Sequence, residues 1–295
     1  MAGPVRRLAS VAVILALAAG CGQARAGTAL PKGEDASSYV GAKFEQAMDK
    51  LKDKLKDTRD TTSSLDQTFR IDEKTAKGTL TTVRTGSPES RVLRNRAQNP
   101  DEVIDTFTPG EGTVDYTYLG PVYRSLAPTP WVSTPKPAAG LINPCTWQGL
   151  IVPCRMANAA FAAFKADKRA VKSARSLGDG KIELAVDVTL GTFLDEMVIL
   201  MPPKLRERVG ETLKKALIPT VITLNPDGSP ESLVMNAKAD GDGHEVELHY
   251  DFKLTGKANP QDLPKIPDPT QLTVLDQAGA DDFHRRLEDF QNAYG

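Results

Sequence analysis

The chain has 295 residues, 40% hydrophobic, 25% charged and 6% aromatic, with a formal net charge of −1. That balance excludes an integral membrane bundle, a collagen-like fibre and a wholly disordered chain. It also gives no global attraction to nucleic acid, so no nucleic-acid partner is expected.

Residues 1–20 read as an export signal. Arg6 and Arg7 supply a positive start, and Val11 to Ala19 is an apolar run too short to span a bilayer as a stable helix. The run ends Leu17-Ala18-Ala19-Gly20-Cys21, which resembles a bacterial lipobox, with Leu17 one residue further from the cysteine than usual. The lipobox resemblance implies that Cys21 carries a lipid anchor and becomes the mature N-terminus, after which two or three acyl chains hold the protein stably. Cleavage would remove Arg6 and Arg7 and no acid, taking the formal charge from −1 to −3. Residues 21–38 read as a flexible tether rich in Gly, Ala and charged residues. Fully extended, such a tether reaches about 50–60 Å, so the folded part is expected near the extracytoplasmic face of the cell membrane.

With Cys21 lipidated, Cys145 and Cys154 are left as a pair in an oxidising compartment, expected to form a disulfide closing a loop with a proline beside each cysteine. Zinc would require more ligands at tight spacing.

The folded body is expected over 39–278. Val40, Phe44, Met48, Leu51 and Leu55 recur at helical steps. Alternation then takes over at Leu65 to Ile71, Gly78 to Val83, Arg91 to Leu93, Val103 to Phe107 and Thr113 to Leu119. Tyr123 to Leu126 and Pro130 to Val132 suggest a further strand pair. An Ala-rich helix is expected at 155–167, then strands at Val171 to Arg175 and Lys181 to Val188. Two helices follow, carrying Phe193, Met197 and Met201, then Leu205, Val209, Leu213 and Leu217, split by Pro202-Pro203. A meander closes the body: Pro219 to Leu224, Glu231 to Lys238, and a long strand with Val246, Leu248, Tyr250, Phe252 and Leu254 on one face. Prolines at 260, 264, 267 and 269 mark an extended edge segment. Residues 279–295 form a short amphipathic helix carrying Phe283, Leu287, Phe290 and Tyr294.

Many one-face-apolar strands with few helices give an α+β, mostly β fold. It consists of a single curved antiparallel sheet with helices over its concave face.

The lipobox at Cys21, the first helix from Ser38 to Lys56, the strand series, the segment Phe193 to Leu217 and the meander Thr220 to Thr255 together resemble the actinobacterial LprG/LppX-type lipoproteins and, more distantly, the LolA/LolB superfamily. The resemblance implies a half-barrel with helices over the concave face, and several members hold acylated lipids between the layers. The Cys145–Cys154 segment and the C-terminal helix are not part of it.

No catalytic residue, metal site or cofactor is expected. His244 and His249 are five apart in a strand pattern, which puts them on opposite faces. Asp240-Gly-Asp-Gly lacks the rest of a calcium loop and reads as a hairpin turn. The carboxylate pairs Asp72-Glu73, Asp195-Glu196 and Asp281-Asp282 read as solvated faces or helix starts. The methionine-bearing face at Phe193, Met197, Met201, Leu205, Val209 and Leu213 could repack around apolar ligands. With Leu248, Tyr250 and Phe252 it is the expected cavity lining for a lipid or glycolipid. The alternative is an envelope interaction or stress-sensing module with a protein partner and a fully packed interior.

Overall fold

The computed structural model describes residues 34–57, 59–136 and 144–294. Cys21, the expected signal and the tether up to residue 33 lie outside the described residues, as does most of the Pro- and Ala-rich stretch at 135–140. The chain divides into two compact units at Tyr39/Val40, and the second unit holds the sheet.

Helix α1 (Glu34–Asp57) leads into five strands in meander order: β1 (Thr61–Ile71), β2 (Lys74–Thr85), β3 (Ser90–Ala97), β4 (Val103–Thr108) and β5 (Val114–Leu119). A short 3-10 helix (Pro121–Leu126) precedes β6 (Trp131–Pro135). Helix α2 (Gln148–Ala166) interrupts the sheet before β7 (Val171–Ser176) and β8 (Ile182–Thr189). Three short helices follow, α3 (Leu190–Asp195), α4 (Pro203–Arg206) and α5 (Glu211–Lys214), and then β9 (Leu217–Leu224), β10 (Pro230–Gly241) and β11 (His244–Lys257). A proline-rich segment ends in β12 (Leu272–Val274), and α6 (Gln277–Tyr294) closes the chain.

All twelve strands join one open, curved sheet in the order β12-β6-β5-β4-β3-β2-β1-β11-β10-β9-β8-β7. Every pairing is antiparallel except β12 with β6, which is parallel. The central seam is long: β1 pairs with β11 from Thr61↔Lys257 to Ile71↔Val246. It joins the two meanders into one surface.

The helices lie on one face. On the β1 and β8–β11 side, Phe44, Met48 and Leu51 of α1, Met156, Ala160 and Phe164 of α2 and Phe193 of α3 pack with Leu65, Leu184, Leu233, Leu248, Tyr250 and Phe252 in one buried cluster. Stacking one apolar face of each strand under an apolar helix stripe removes both from water, worth about 25 cal/mol per Å². On the β4–β6 side, Phe283 of α6 packs on Leu119 and Val132. The opposite face of β2–β5 is also covered, because Ala258, Leu263 and Leu272 of the proline-rich segment lie against Val83, Val92, Phe107 and Tyr116. That segment therefore crosses the back of the sheet and delivers α6 to the front.

Three local expectations change. Residues Tyr123 to Leu126 are helical, since Pro121 starts a 3-10 turn in which Tyr123 N–H donates to the Gly120 carbonyl at 3.0 Å. Helix α2 starts at Gln148, so Pro153 and Cys154 are helical rather than in a loop. Burial of Leu150, Met156, Ala157 and Ala160 outweighs the helix-breaking tendency of Pro153. The two helices expected between Phe193 and Leu217 shrink to three of four to six residues. Met197 takes a left-handed conformation (φ 52) just after α3. Leu217 belongs to β9.

Candidate functional site

The expected lining residues separate into two groups. Phe193, Val209, Leu213, Leu248, Tyr250 and Phe252 are each 3% exposed or less and belong to the main core. The Phe193 and Tyr250 rings meet edge to face at 5.3 Å. Met197 is 47% exposed at the surface, while Met201 and Leu205 are half-buried at the core's margin. Of the expected lining residues, Tyr250 also borders a hollow beside α2, and Met201 borders a separate surface hollow of about 490 Å³ with Gly191, Leu194 and Arg206.

A hollow on the helix face lies further along the sheet. Strands β3, β4, β5 and β6 turn Arg91, Leu93, Asn95, Ile104, Thr106, Thr108, Asp115, Thr117 and Thr134 into a cavity of about 640 Å³. Registers Leu93↔Thr106, Thr106↔Thr117 and Asp115↔Thr134 align these side chains in rows across four strands. One wall is α6, through Gln277, Ala280, Phe283, His284, Leu287 and Gln291. The other is Trp147, at the start of α2.

A second hollow of about 520 Å³ adjoins the first, with Leu93 and Asn95 lining both. Its walls are more apolar: Leu80 and Tyr250 from the sheet, Ile151 and Val152 from α2, and Val198, Ile199 and Leu200 from the segment after α3. Leu200 is 73% exposed. Arg155 fixes this segment by donating to the Met197 carbonyl at 2.8 Å. The two hollows meet at Leu93 and Asn95 to make a groove whose first part mixes polar strand residues with Phe283 and Leu287 of α6, and whose second part is more apolar but also bordered by Gln67, Lys77 and Arg155. Each lies within the size range of small-molecule sites, roughly 300–1,000 Å³.

The disulfide sets one wall. Cys145 and Cys154 are bonded with Cα atoms 5.6 Å apart, tying the turn Pro144–Thr146 to the first turns of α2. Trp147 lies inside this closed loop and folds back over Gly149, where a Cβ would collide with the indole ring. Arg91 stands over the same ring, its guanidinium carbon 5.4 Å from the centroid.

The polar end brings together two arginines, Arg84 and Arg91, and two carboxylates, Glu89 and Asp115. Arg84 and Arg91 face each other directly across β2 and β3. Like charges in that position repel. Arg84 is answered by Glu89 at 2.7 Å, with its side chain only 5% exposed. Its Nη1, the Arg91 Nε and the Asp115 Oδ1 are buried and lack a hydrogen-bond partner among the described residues. Burial lowers the Arg91 pKa and raises that of Asp115, the latter opposed by a hydrogen bond from Thr108.

This polar end escaped sequence reasoning. Thr106, Thr108, Thr117 and Thr134 have β-branched side chains, and in a strand pattern they read as ordinary sheet residues. The one available signal was the strand Ser90-Arg-Val-Leu-Arg-Asn-Arg, whose polar residues fall on both faces, so neither face is simply buried.

A separate cluster forms where two hairpin turns meet. Asp72 accepts from Glu245 N–H at 3.0 Å and from Arg208 at 3.1 Å, and lies 2.8 Å from His244 Nδ1. These contacts hold the Asp72 carboxyl below its usual pKa, the backbone hydrogen bond first among them. Asp242, in the turn expected from sequence, accepts from Thr212 N–H at 2.9 Å and Leu213 N–H at 3.2 Å, fixing α5. Among the described residues no three His, Cys, Asp or Glu side chains are grouped to hold a metal, and no helix is long and apolar enough to cross a membrane.

No family model matches this chain, and no curated protein matches it significantly. Solved structures similar to it include an uncharacterised conserved protein from Thermus thermophilus, at 13% identity and TM-score 0.30, covering 78% of this chain and 98% of that one. Lipoprotein LppX of Mycobacterium tuberculosis is similar at 9% identity and TM-score 0.26, over 72% of this chain and 93% of that one. A LolA-superfamily protein from Nitrosomonas europaea is similar at 10% identity and TM-score 0.23, over 78% and 97%. At these values the comparison assigns neither ligand nor activity.

Proposed function

We propose that this protein is a lipid-anchored lipoprotein of the extracytoplasmic membrane face. In this reading it holds an acylated lipid in the groove between sheet and helices, as a carrier or presenter, and performs no chemistry on it. The observation carrying the proposal is the pair of adjoining hollows between sheet and helices, which set hydroxyls, amides and charges beside Leu80, Leu93, Ile151, Val152, Ile199 and Phe283. An amphiphile suits such a mixed lining, its chain on the apolar side chains and its head on the polar ones. Each methylene withdrawn from water against the apolar side chains contributes about 0.8 kcal/mol, so a chain of several methylenes supplies most of the affinity.

The lipobox pattern at Cys21 supports the anchor, and the Cys145–Cys154 bond suits an oxidising compartment. The test is organic extraction of the purified full chain followed by mass spectrometry. Stoichiometric recovery of an acylated molecule is expected, in addition to the protein's own anchor. A chain that yields none, and binds no added lysolipid, overturns the reading. For the anchor, Cys21→Ala should abolish metabolic labelling by radioactive palmitate. Labelling that persists would place acylation elsewhere.

A further inference from the structure

We infer that the polar end of the groove recognises the head group of a phospholipid, with its phosphate on Arg91 and a hydrogen-bond donor of the same head group on Asp115. The inference rests on the proposed lipid-binding role and specifies the ligand class. Three observations converge on it.

The first is the arginine pair. Two guanidiniums sit opposite each other in register on adjacent strands, on the face that forms the cavity. Of the two, Arg84 is ion-paired, through Glu89. Arg91 leans on the Trp147 ring and keeps its Nε without a partner among the described residues. Arg91 lines the cavity beside the indole ring, and its guanidinium fork is suited to a tetrahedral oxyanion.

The second is Asp115, one wall of the same cavity. It accepts from the Thr108 hydroxyl, and its Oδ1 has no partner among the described residues. An ionised carboxylate accepts hydrogen bonds and donates none, so it calls for an ammonium or hydroxyl on the ligand. Ethanolamine and glycerol heads both supply one next to the phosphate, and a choline head does not. The third is continuity: Leu93 and Asn95 join this end to the apolar hollow, so a chain esterified to the same glycerol has a path to it.

Binding of four single-chain probes to the purified full chain, followed by native mass spectrometry and titration calorimetry, tests the inference. Lysophosphatidylethanolamine and lysophosphatidylglycerol are expected to bind at least about ten-fold tighter than monoacylglycerol, which lacks phosphate, and than lysophosphatidylcholine, which lacks the donor. Arg91→Gln should remove the preference over monoacylglycerol, with Arg91→Lys restoring part of it. Asp115→Asn should remove the preference over lysophosphatidylcholine. Equal affinity for all four wild-type probes overturns the inference while leaving the lipid-binding role standing, and it does so without any variant that must fold. Equal affinity for lysophosphatidylcholine and the two donor-bearing phospholipids also overturns it. Absence of binding to every probe counts against the lipid-binding role itself.

Discussion

The same face of one sheet is built in two ways. Between β1 and β9, strands present Leu65, Phe252, Leu248, Tyr250, Leu233 and Met235, and α1–α3 pack over them, leaving a hollow beside Tyr250. Between β3 and β6 the equivalent positions are Arg91, Asn95, Thr106, Asp115, Thr117 and Thr134, and α6 stands across a hollow. The contrast separates two tasks. The first half supplies the burial that makes the fold stable, and this lets the second half carry unpaired polar atoms that would weaken an apolar core.

That division predicts very different responses to truncation. Phe193→Ala should cost about 3–5 kcal/mol in urea unfolding, since it removes a fully buried ring from the core. Thr106→Ala, on the cavity wall, should stay within about 0.5 kcal/mol. A mild Phe193→Ala would mean that the packed half is itself a cavity, and the comparison would collapse. Replacing both Cys145 and Cys154 by Ser should cost about 2–3 kcal/mol, because the bond closes a loop with a sequence separation of 9. It should also free Trp147, giving a red-shifted indole emission.

The packed half was the legible half. Its strands alternate cleanly, as at Val246 to Leu254, and its first helix repeats at three and four residues, because a one-sided apolar contact imposes a period on the sequence. The pairing Asp242–α5 and the meeting of Asp72 with His244 were not legible: the first joins a hairpin turn to a helix start and the second joins two hairpins distant in sequence, which local pattern does not encode. Spacing misled at Met197, which lies past the end of α3 in a left-handed conformation and is 47% exposed, whereas Leu205 does lie in the short helix α4. The groove was illegible for a further reason. A polar cavity wall and a solvated strand face have the same composition, and only the arrival of α6, carried round the back by the proline-rich segment, distinguishes them.

A smaller effect sharpens the boundary between the halves. Gly149→Ala favours helix by about 1 kcal/mol, but its methyl group would occupy the place of the Trp147 ring. The ring must swing away from Arg91. Stability should change by less than about 1 kcal/mol, while lysophospholipid affinity falls, a split that calorimetry and unfolding would read separately. Loss of stability with unchanged affinity would make Trp147 a packing residue and not part of the site.

The two halves should also differ in the sign of their pH dependence. Asp72 has a folded pKa below its unfolded value, because the Glu245 N–H and His244 favour its charge. Its contribution is therefore present above about pH 4, the unfolded value, and is lost as pH falls through the lower folded one. Asp115 is displaced the other way by burial, so its charged form weakens the fold above its raised pKa, and the penalty disappears below about pH 4. Asp72→Asn should lower the urea midpoint at pH 7, modestly because the group is open to solvent, with the difference closing towards about pH 2. Asp115→Asn should raise the midpoint at pH 7 and leave it unchanged at about pH 3. A carboxylate whose removal stabilises the protein while weakening its hold on a donor-bearing lipid would be one retained at the expense of stability, for the sake of a ligand.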